Sequence, residues 1–160
     1  MERCILFFDI DGTILTEDGS RTIPDSTRTA IAKARANGHL TFVNTGRVYL
    51  NIEPMIQQLG FDGYVCGCGT YIEVNNKVLY NNIVNKENYN IILDGLKKYK
   101  LNCVLEGEEA IYVDENAEDD FLLSNLRKQN YPVEPYDLEN MKFNKMFIRY
   151  DDNKYIDSFC

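Results

Sequence analysis

The first half of the chain alternates predicted strands with predicted helices. Residues 4–8 are continuously apolar, which is typical of a parallel strand that is buried on both faces. Residues 26–37 are rich in alanine and predict a helix, because Pro24 precedes them as a start signal and Gly38 follows as a stop signal. A second strand, a second helix and a third strand are predicted at residues 39–44, 49–59 and 64–66.

Two further short segments, residues 71–74 and 77–80, flank Asn75-Asn76, and this pattern predicts a β-hairpin. Repeated strand–helix–strand units with right-handed crossovers imply an open sheet with helices against its faces. The first half therefore predicts an α/β fold, a Rossmann-like three-layer core around a mainly parallel sheet. In such sheets ligands bind beyond the carboxyl ends of the strands.

Residues 83–160 predict a different order of elements. Helices are expected at about residues 86–99 and 118–129. Strands are expected near residues 102–106, 110–113 and 143–150. This order predicts a small α+β unit with a partly antiparallel sheet. The polar segment at residues 80–86 marks the join, so we divide the chain into domains of residues 1–82 and 83–160.

Composition narrows the class of protein. The chain is 44% hydrophobic and 26% charged, which excludes wholesale disorder. A net charge of -8 argues against a nucleic-acid partner, and the absence of an apolar run of roughly 20 residues argues against a membrane partner. Five cysteines are an odd and sparse set for a disulfide framework, so we expect a reducing, cytoplasmic setting.

Candidate chemistry begins where the first strand ends, in Asp9-Ile10-Asp11-Gly12-Thr13. Side chains two apart on a strand point the same way, so both carboxylates can face one site. Their mutual repulsion is relieved by a hard cation such as Mg²⁺, which typically also takes waters and a substrate phosphate. The glycine permits a sharp turn that brings amides near an anion, and the threonine offers a hydroxyl. An ordinary Asp-Gly turn after a strand is the alternative interpretation.

The second strand ends in Thr45-Gly46-Arg47. Because parallel strands end at the same edge of a sheet, the Thr45 hydroxyl is expected beside Asp9, where it could donate to a phosphate oxygen. Gly46 permits close approach, and Arg47 supplies a fork of donors. The tripeptide is weak evidence alone, but its recurrence at the same edge makes the joint pattern strong.

Together, the apolar strand into Asp9-Ile10-Asp11-Gly12-Thr13 and the strand into Thr45-Gly46-Arg47 resemble the haloacid dehalogenase-like superfamily, and within it the Cof-type phosphatases. That family carries a cap domain inserted after the third core strand. The resemblance implies that residues 83–160 belong to an incomplete cap and that the activity is Mg²⁺-dependent phosphoryl transfer.

The resemblance also implies a role for each residue of the two motifs. Asp9 would be the nucleophile that forms an aspartyl-phosphate, and Asp11 would protonate the leaving oxygen and then activate water. The Asp9 side chain and the backbone carbonyl of Asp11 would bind Mg²⁺. The phosphoryl group would be held by a further set, namely Gly12, Thr13, Thr45, Gly46 and Arg47.

The chain departs from the family pattern in two places. Relatives often carry Asn-Gly-Ala after the third strand, whereas this chain has Cys68-Gly69-Thr70, and we expect Cys66 and Cys68 to be small buried residues. A catalytic lysine and an acidic metal-binding motif have no convincing counterpart after the cap. A rival interpretation places them at Lys145, Asp151-Asp152 and Asp157, but residues 132–141 are a poor crossover helix because they contain two prolines.

The sequence therefore predicts a Mg²⁺-dependent phosphatase of small phosphorylated metabolites, such as sugar phosphates. Two alternatives remain open: a phosphomutase using the same nucleophile, and a non-catalytic phosphate-binding module. We expect the 160-residue chain to be part of a longer polypeptide, and to be inactive, poorly soluble or self-associating by itself. The natural substrate and the oligomeric state cannot be predicted from these motifs.

Overall fold

The computed structural model describes residues 2–99, 101, 103–114, 121–128 and 131–148. The chain divides into two compact units, Met1–Asn81 and Asn82–Cys160. No helix within the described ranges is both long and apolar enough to cross a membrane.

A five-stranded sheet organises the first unit. Its strands are β1 (Ile5–Phe8), β2 (Leu40–Asn44), β3 (Gly63–Cys66), β4 (Tyr71–Val74) and β5 (Lys77–Asn81). They lie side by side in the order β1-β2-β3-β4-β5. Strands β1, β2 and β3 are parallel to one another, and β4 is antiparallel to both of its neighbours, β3 and β5. The predicted α/β fold is confirmed, and the sheet is mixed.

The helices of the first unit follow two different patterns. Helix α1 (Asp25–Ala36) forms as predicted and is followed by Gly38 with φ +84°. The single helix expected at residues 49–59 is wrong, because that stretch contains a 3₁₀ turn at Tyr49–Asn51 and a short helix α2 at Pro54–Gln57. Pro54 disfavours helical backbone in the residue before it, which is extended at ψ 143°.

The predicted hairpin is confirmed in detail. Asn75 and Asn76 both have positive φ values, 51° and 60°, between β4 and β5. Two consecutive left-handed residues are what a two-residue type I′ turn requires, and asparagine tolerates that conformation better than most residues.

The core of the first unit fixes the loop that follows β1. Ile10 and Ile14 are fully buried, and they pack with Ile31 of α1 and Val43 of β2. The Ile14 N–H donates to the Ile10 carbonyl at 3.0 Å, and the Leu15 N–H donates to the same carbonyl at 2.9 Å. Burial of the two isoleucines thus anchors the turn on both sides of Asp11.

Strand β1 differs from its prediction. Ile5 is 54% exposed and Phe7 is 57% exposed, so one face of this strand is open, not buried as the apolar run predicted. Among the described residues β1 is the edge strand of its sheet, paired with β2 alone, and nothing there covers that face.

The second unit contains a four-stranded sheet. Its elements are α3 (Lys86–Tyr99), β6 (Cys103–Glu106), β7 (Ile111–Val113), α4 (Phe121–Lys128), β8 (Val133–Pro135) and β9 (Lys145–Ile148). The order in the sheet is β8-β7-β6-β9, with β6 antiparallel to both of its neighbours and β7 parallel to β8. The partly antiparallel α+β arrangement is as predicted, except that β8 was not expected.

The placement of β9 decides against the rival assignment of Lys145. The strand pairs antiparallel with β6, and the Lys145 Nζ lies 2.7 Å from the Glu106 Oε2 within the second unit. Residues 132–141 contain β8 and a turn, not a crossover helix. Asp151, Asp152 and Asp157 lie outside the described residues.

Candidate active site

The loop after β1 carries two carboxylates that flank a buried residue. Asp9 and Asp11 are exposed, whereas Ile10 between them is fully buried. The Ile10 side chain packs into the core of the first unit, while the residues on either side of it remain at the surface. The loop therefore offers both carboxylates to solvent at the carboxyl end of β1.

Gly12 makes the turn that follows, and its φ of +74° is a conformation that favours glycine. A Cβ at this position would lie 2.3 Å from the Glu17 Oε1, so the flexible Glu17 side chain lies directly against the turn. Thr13 is exposed in the same turn and donates its N–H to the Ile10 carbonyl at 3.3 Å. A phosphate at the turn would have to displace the Glu17 carboxylate.

The loop after β2 holds Thr45 rigidly. Its side chain is 4% exposed, and its N–H donates to the Val65 carbonyl of β3 at 2.9 Å. The Thr45 Oγ1 accepts a hydrogen bond from the Arg47 N–H at 3.2 Å, which leaves its own hydrogen available to a further acceptor. Since β1 pairs in parallel with β2, Thr45 and Asp9 follow adjacent strand ends.

Arg47 joins the two loops. Its Nε donates to the Asp11 Oδ2 at 2.9 Å, and its Nη2 donates to the Asp11 Oδ1, so the contact is bidentate. The Arg47 side chain is only 17% exposed, against 55% for Asp11. The structure thus brings together Asp11 and Arg47, two residues predicted from separate motifs.

Two further charged residues complete this cluster, and neither was predicted. Glu53 accepts a hydrogen bond from the Arg47 Nη1 at 2.9 Å and another from the Arg21 Nη2. The Arg21 Nη1 also lies 3.8 Å from the Asp11 Oδ1. Glu53 and Arg21 lie outside both motifs and are 32 residues apart, so no local pattern signals their contact.

The electrostatics of the cluster follow from burial and pairing. Burial opposes ionisation of Glu53, but hydrogen bonds from Arg21 and Arg47 outweigh it and hold the pKa of Glu53 below its ordinary value. Desolvation likewise opposes the charge on Arg47, but hydrogen bonds to Asp11 and Glu53 raise the pKa of Arg47 above its ordinary value. Both groups are therefore charged at neutral pH.

The two cysteines near β3 differ in their surroundings. Cys66 is fully buried, as predicted, and burial raises the pKa of its thiol to about 12. The prediction that Cys68 is buried is wrong, because Cys68 is exposed with a φ of 58°. A Cβ on Gly46 would lie 3.5 Å from the Cys68 Sγ, which places this thiol beside the loop after β2.

The loop after β1 carries oxygen donors of the type that a hard divalent cation prefers. The exposed Asp9 carboxylate and the main-chain carbonyl of Asp11 are suitable donors, whereas both side-chain oxygens of Asp11 are bound by Arg47. The described ranges contain no group of three acidic, histidine or cysteine side chains that could enclose a metal.

Comparison with known proteins identifies the family. The model of the haloacid dehalogenase-like hydrolases matches residues 6–159, so the chain belongs to that family. A curated relative is YkrA of Bacillus subtilis (strain 168), which is 35% identical over 82 residues, covering 51% of this chain and 31% of YkrA. The resemblance to the superfamily stated from the two motifs is confirmed.

Solved structures share the fold. A protein from Geobacillus kaustophilus HTA426 matches with a TM-score of 0.78 and 26% identity, covering 99% of this chain and 63% of that one. BT4131, a sugar phosphatase of the haloacid dehalogenase subclass IIB, matches with a TM-score of 0.68 and 25% identity, covering 86% of this chain and 54% of its own. The chain therefore spans less than two thirds of the length of each of these relatives.

Proposed function

We propose that this protein is a phosphatase of small phosphorylated metabolites, such as sugar phosphates, that works through an aspartyl-phosphate on Asp9. The bidentate contact of Arg47 with Asp11 carries the proposal, because it joins the two motif loops into one cluster beside Asp9. The family of hydrolases supports the reaction class, and the likeness to the sugar phosphatase BT4131 supports the substrate class.

The first step transfers the phosphoryl group to the protein. An oxygen of the Asp9 carboxylate attacks phosphorus, and the bond between phosphorus and the ester oxygen of the substrate breaks. Asp11, as a carboxylic acid, gives its proton to the departing oxygen, so the alcohol leaves neutral. The resulting Asp11 carboxylate is the form that Arg47 binds with two hydrogen bonds.

The second step regenerates the enzyme. Water attacks the phosphorus of the aspartyl-phosphate, Asp11 takes the proton from that water, and the bond between Asp9 and phosphorus breaks. Thr45 and the amides near Gly12 and Gly46 donate to the phosphoryl oxygens in both steps. We assign Thr13 and Arg47 to the same phosphate-binding set, and Arg47 reaches a phosphate only by giving up part of its contact with Asp11 or Glu53.

Mg²⁺ is the cofactor that we propose, held by the Asp9 carboxylate and the Asp11 main-chain carbonyl. When bound, it would lower the repulsion between the nucleophile and the anionic phosphoryl group. We propose a cytoplasmic location, since the described cysteines are free thiols, as expected in a reducing compartment. We propose residues 1–82 as the core portion and residues 83–160 as part of a cap.

Substitution of Asp9 tests the proposed function. In a protein that contains this chain, Asp9→Asn removes the nucleophile with almost no change of size, so phosphate release from an aryl phosphate in the presence of Mg²⁺ should fall by about three orders of magnitude or more. Circular dichroism and thermal unfolding should match the wild type. Retention of more than about a tenth of wild-type turnover would exclude Asp9 as the nucleophile.

The alternatives give different results in the same assay. A phosphomutase would convert glucose 1-phosphate to glucose 6-phosphate without free phosphate. A phosphate-binding module would show amide NMR shifts at Gly12, Thr13 and Gly46 on addition of phosphate, yet would release none from an aryl phosphate. Either result would overturn the hydrolysis that we propose while retaining the site.

A further inference from the structure

Glu53 is a half-buried carboxylate at the base of the charged cluster. It lies just before Pro54, which disfavours a helical conformation there, and its backbone is extended at φ -63° and ψ 143°. Its side chain is 24% exposed, and its carboxylate receives the Arg47 Nη1 on one oxygen and the Arg21 Nη2 on the other. One carboxylate therefore orients two guanidinium groups.

Both of those guanidinium groups face the Asp11 carboxylate. Arg47 binds it in bidentate fashion, and Arg21 approaches it to 3.8 Å. Asp11 is itself 55% exposed, so little packing limits its side-chain rotamers. The ion pairs with Arg47 and Arg21 limit them instead, and those two residues are oriented in turn by Glu53.

Arg47 has a second fixed contact on the same side. Its Nη1 donates to the Asn51 carbonyl at 3.2 Å as well as to Glu53, while its Nε and Nη2 donate to Asp11. The Arg47 guanidinium is therefore bound on one side by the Asn51 carbonyl and the Glu53 carboxylate. On its other side it binds the exposed Asp11 carboxylate. Rotation of Arg47 would break contacts on both sides at once.

We propose that Glu53 is a positioning residue, which holds Arg47 and Arg21 in place so that the Asp11 carboxylate is oriented for proton transfer. This inference rests on the proposed function, in which Asp11 is the acid and base. Glu53 itself touches neither substrate nor the reacting atoms. Misorientation of an acid–base group affects the chemical step more than substrate binding.

The variant Glu53→Gln tests this role with little change of shape. The amide keeps one acceptor oxygen but loses the charge, so it can no longer hold both guanidinium groups. We expect kcat for an aryl phosphate to fall about tenfold, and KM to rise by a smaller factor because Arg47 also belongs to the proposed phosphate-binding set. Glu73→Gln is the matched control, because Glu73 is a buried carboxylate of the same unit that is hydrogen-bonded to the Tyr71 hydroxyl at 2.8 Å.

A spectroscopic measurement tests the inference without turnover. In ¹⁵N-arginine-labelled protein, exchange of the two Nη groups of Arg47 by rotation should be slow in the wild type, because the two groups have different partners. Glu53→Gln should accelerate this exchange at least about tenfold, and Glu73→Gln should leave it unchanged. Unchanged Arg47 exchange in Glu53→Gln would overturn the positioning role.

The outcomes separate this inference from the proposed function. Faster Arg47 exchange in Glu53→Gln, in a protein that releases no phosphate, would support the positioning of Arg47 and refute hydrolysis. Active protein in which Glu53→Gln keeps the wild-type kcat would refute the inference and retain the phosphatase. In an Arg47→Ala background, Glu53→Gln should lower kcat by less than it does in the wild type, because only its contact with Arg21 then remains to be lost.

Discussion

Cys66 and Cys68 are two residues apart and have opposite surroundings. Cys66 is fully buried, and burial raises its pKa to about 12, whereas Cys68 is exposed beside Gly46. The thiolate is the nucleophilic form, so burial that raises the pKa of this thiol leaves it a poor nucleophile near pH 8. Access and ionisation therefore both oppose reaction at Cys66.

We predict that iodoacetamide labels native protein at Cys4 and Cys68 near pH 8, while Cys66 and Cys103 remain unlabelled. Burial likewise raises the pKa of Cys103 to about 12. Peptide mapping by mass spectrometry measures each site, and Cys68→Ser should remove its own label while leaving that of Cys4. Labelling of Cys66 as fast as Cys68 in folded protein would contradict the burial described here.

Glu53 also makes stability depend on pH. Its folded-state pKa lies below its ordinary value of 4.5, because the hydrogen bonds from Arg21 and Arg47 outweigh desolvation. A lowered pKa stabilises the fold above the ordinary value, and that stabilisation is lost as pH falls through the folded-state pKa. We predict that Glu53→Gln lowers the free energy of unfolding by about 1 to 2 kcal/mol at neutral pH, and that the difference narrows in acid.

Urea unfolding of the wild type and Glu53→Gln from neutral pH to about pH 3 measures this effect. Glu73→Gln provides the comparison, since its carboxylate is bound by a neutral tyrosine hydroxyl. A constant difference between wild type and Glu53→Gln across the whole pH range would show that the ion pairs of Glu53 do not stabilise the fold.

Two residues of the charged cluster could be predicted as site residues from the sequence, and two could not. Asp11 and Arg47 were predictable because each follows an apolar strand, and the carboxyl ends of parallel strands share one edge. Glu53 and Arg21 were not, because their contact depends on how two irregular loops fold back over 32 residues. Arg21 adopts a left-handed backbone conformation with a φ of 49°, which no local residue pattern predicts.

At the scale of elements, a helix or turn was predictable where residues within it or next to it favour its backbone conformation. Asn75-Asn76 predicted its turn because both residues tolerate positive φ. Helix α1 is predictable from its flanking residues. The single helix predicted at residues 49–59 is wrong because Pro54 begins helix α2 and forces Glu53 into an extended conformation, which separates α2 from the turn before it. Strand β8 was missed because three residues ending in Pro135 give no periodic signal, and its position comes from parallel pairing with β7.

The contact between β3 and its neighbours gives a prediction for Gly63. A Cβ at Gly63 would lie 2.3 Å from the Glu73 carbonyl oxygen of β4 and 2.4 Å from the Phe42 Cε1 of β2. Backbone on one side and a buried ring on the other leave little room to adjust. We predict that Gly63→Ala lowers the free energy of unfolding by about 2 to 3 kcal/mol, measured by urea unfolding.

Gly46→Ala is the matched control for that measurement. Its Cβ would lie 3.5 Å from the Cys68 Sγ, which is ordinary van der Waals contact. The substitution should therefore change stability by less than about 1 kcal/mol, and reduced freedom of the unfolded chain favours the alanine. Equal destabilisation by the two substitutions would indicate a general cost of replacing glycine, with no close contact at Gly63.

At the scale of the whole molecule, charge and exposed apolar surface act in opposite directions. The net charge of -8 favours separation of the chains in solution. Among the described residues, both edge strands of the first sheet expose apolar side chains, with Ile5 at 54% and Phe7 at 57% on β1, and Leu79 at 60% on β5. Edge strands with apolar side chains offer unpaired backbone groups to another chain.

We therefore predict that the 160-residue chain self-associates through β1 and that Ile5→Lys restores the monomer. A lysine on an edge strand opposes strand pairing, because pairing would bury or crowd its charge. Light scattering after size-exclusion chromatography, at increasing protein concentration, measures the effect. Ile91→Lys is the matched control, because Ile91 is 70% exposed but lies on helix α3, where no strand edge is present. If Ile91→Lys reduces association as much as Ile5→Lys does, the effect comes from added charge alone; if only Ile5→Lys does so, the edge of β1 is the contact.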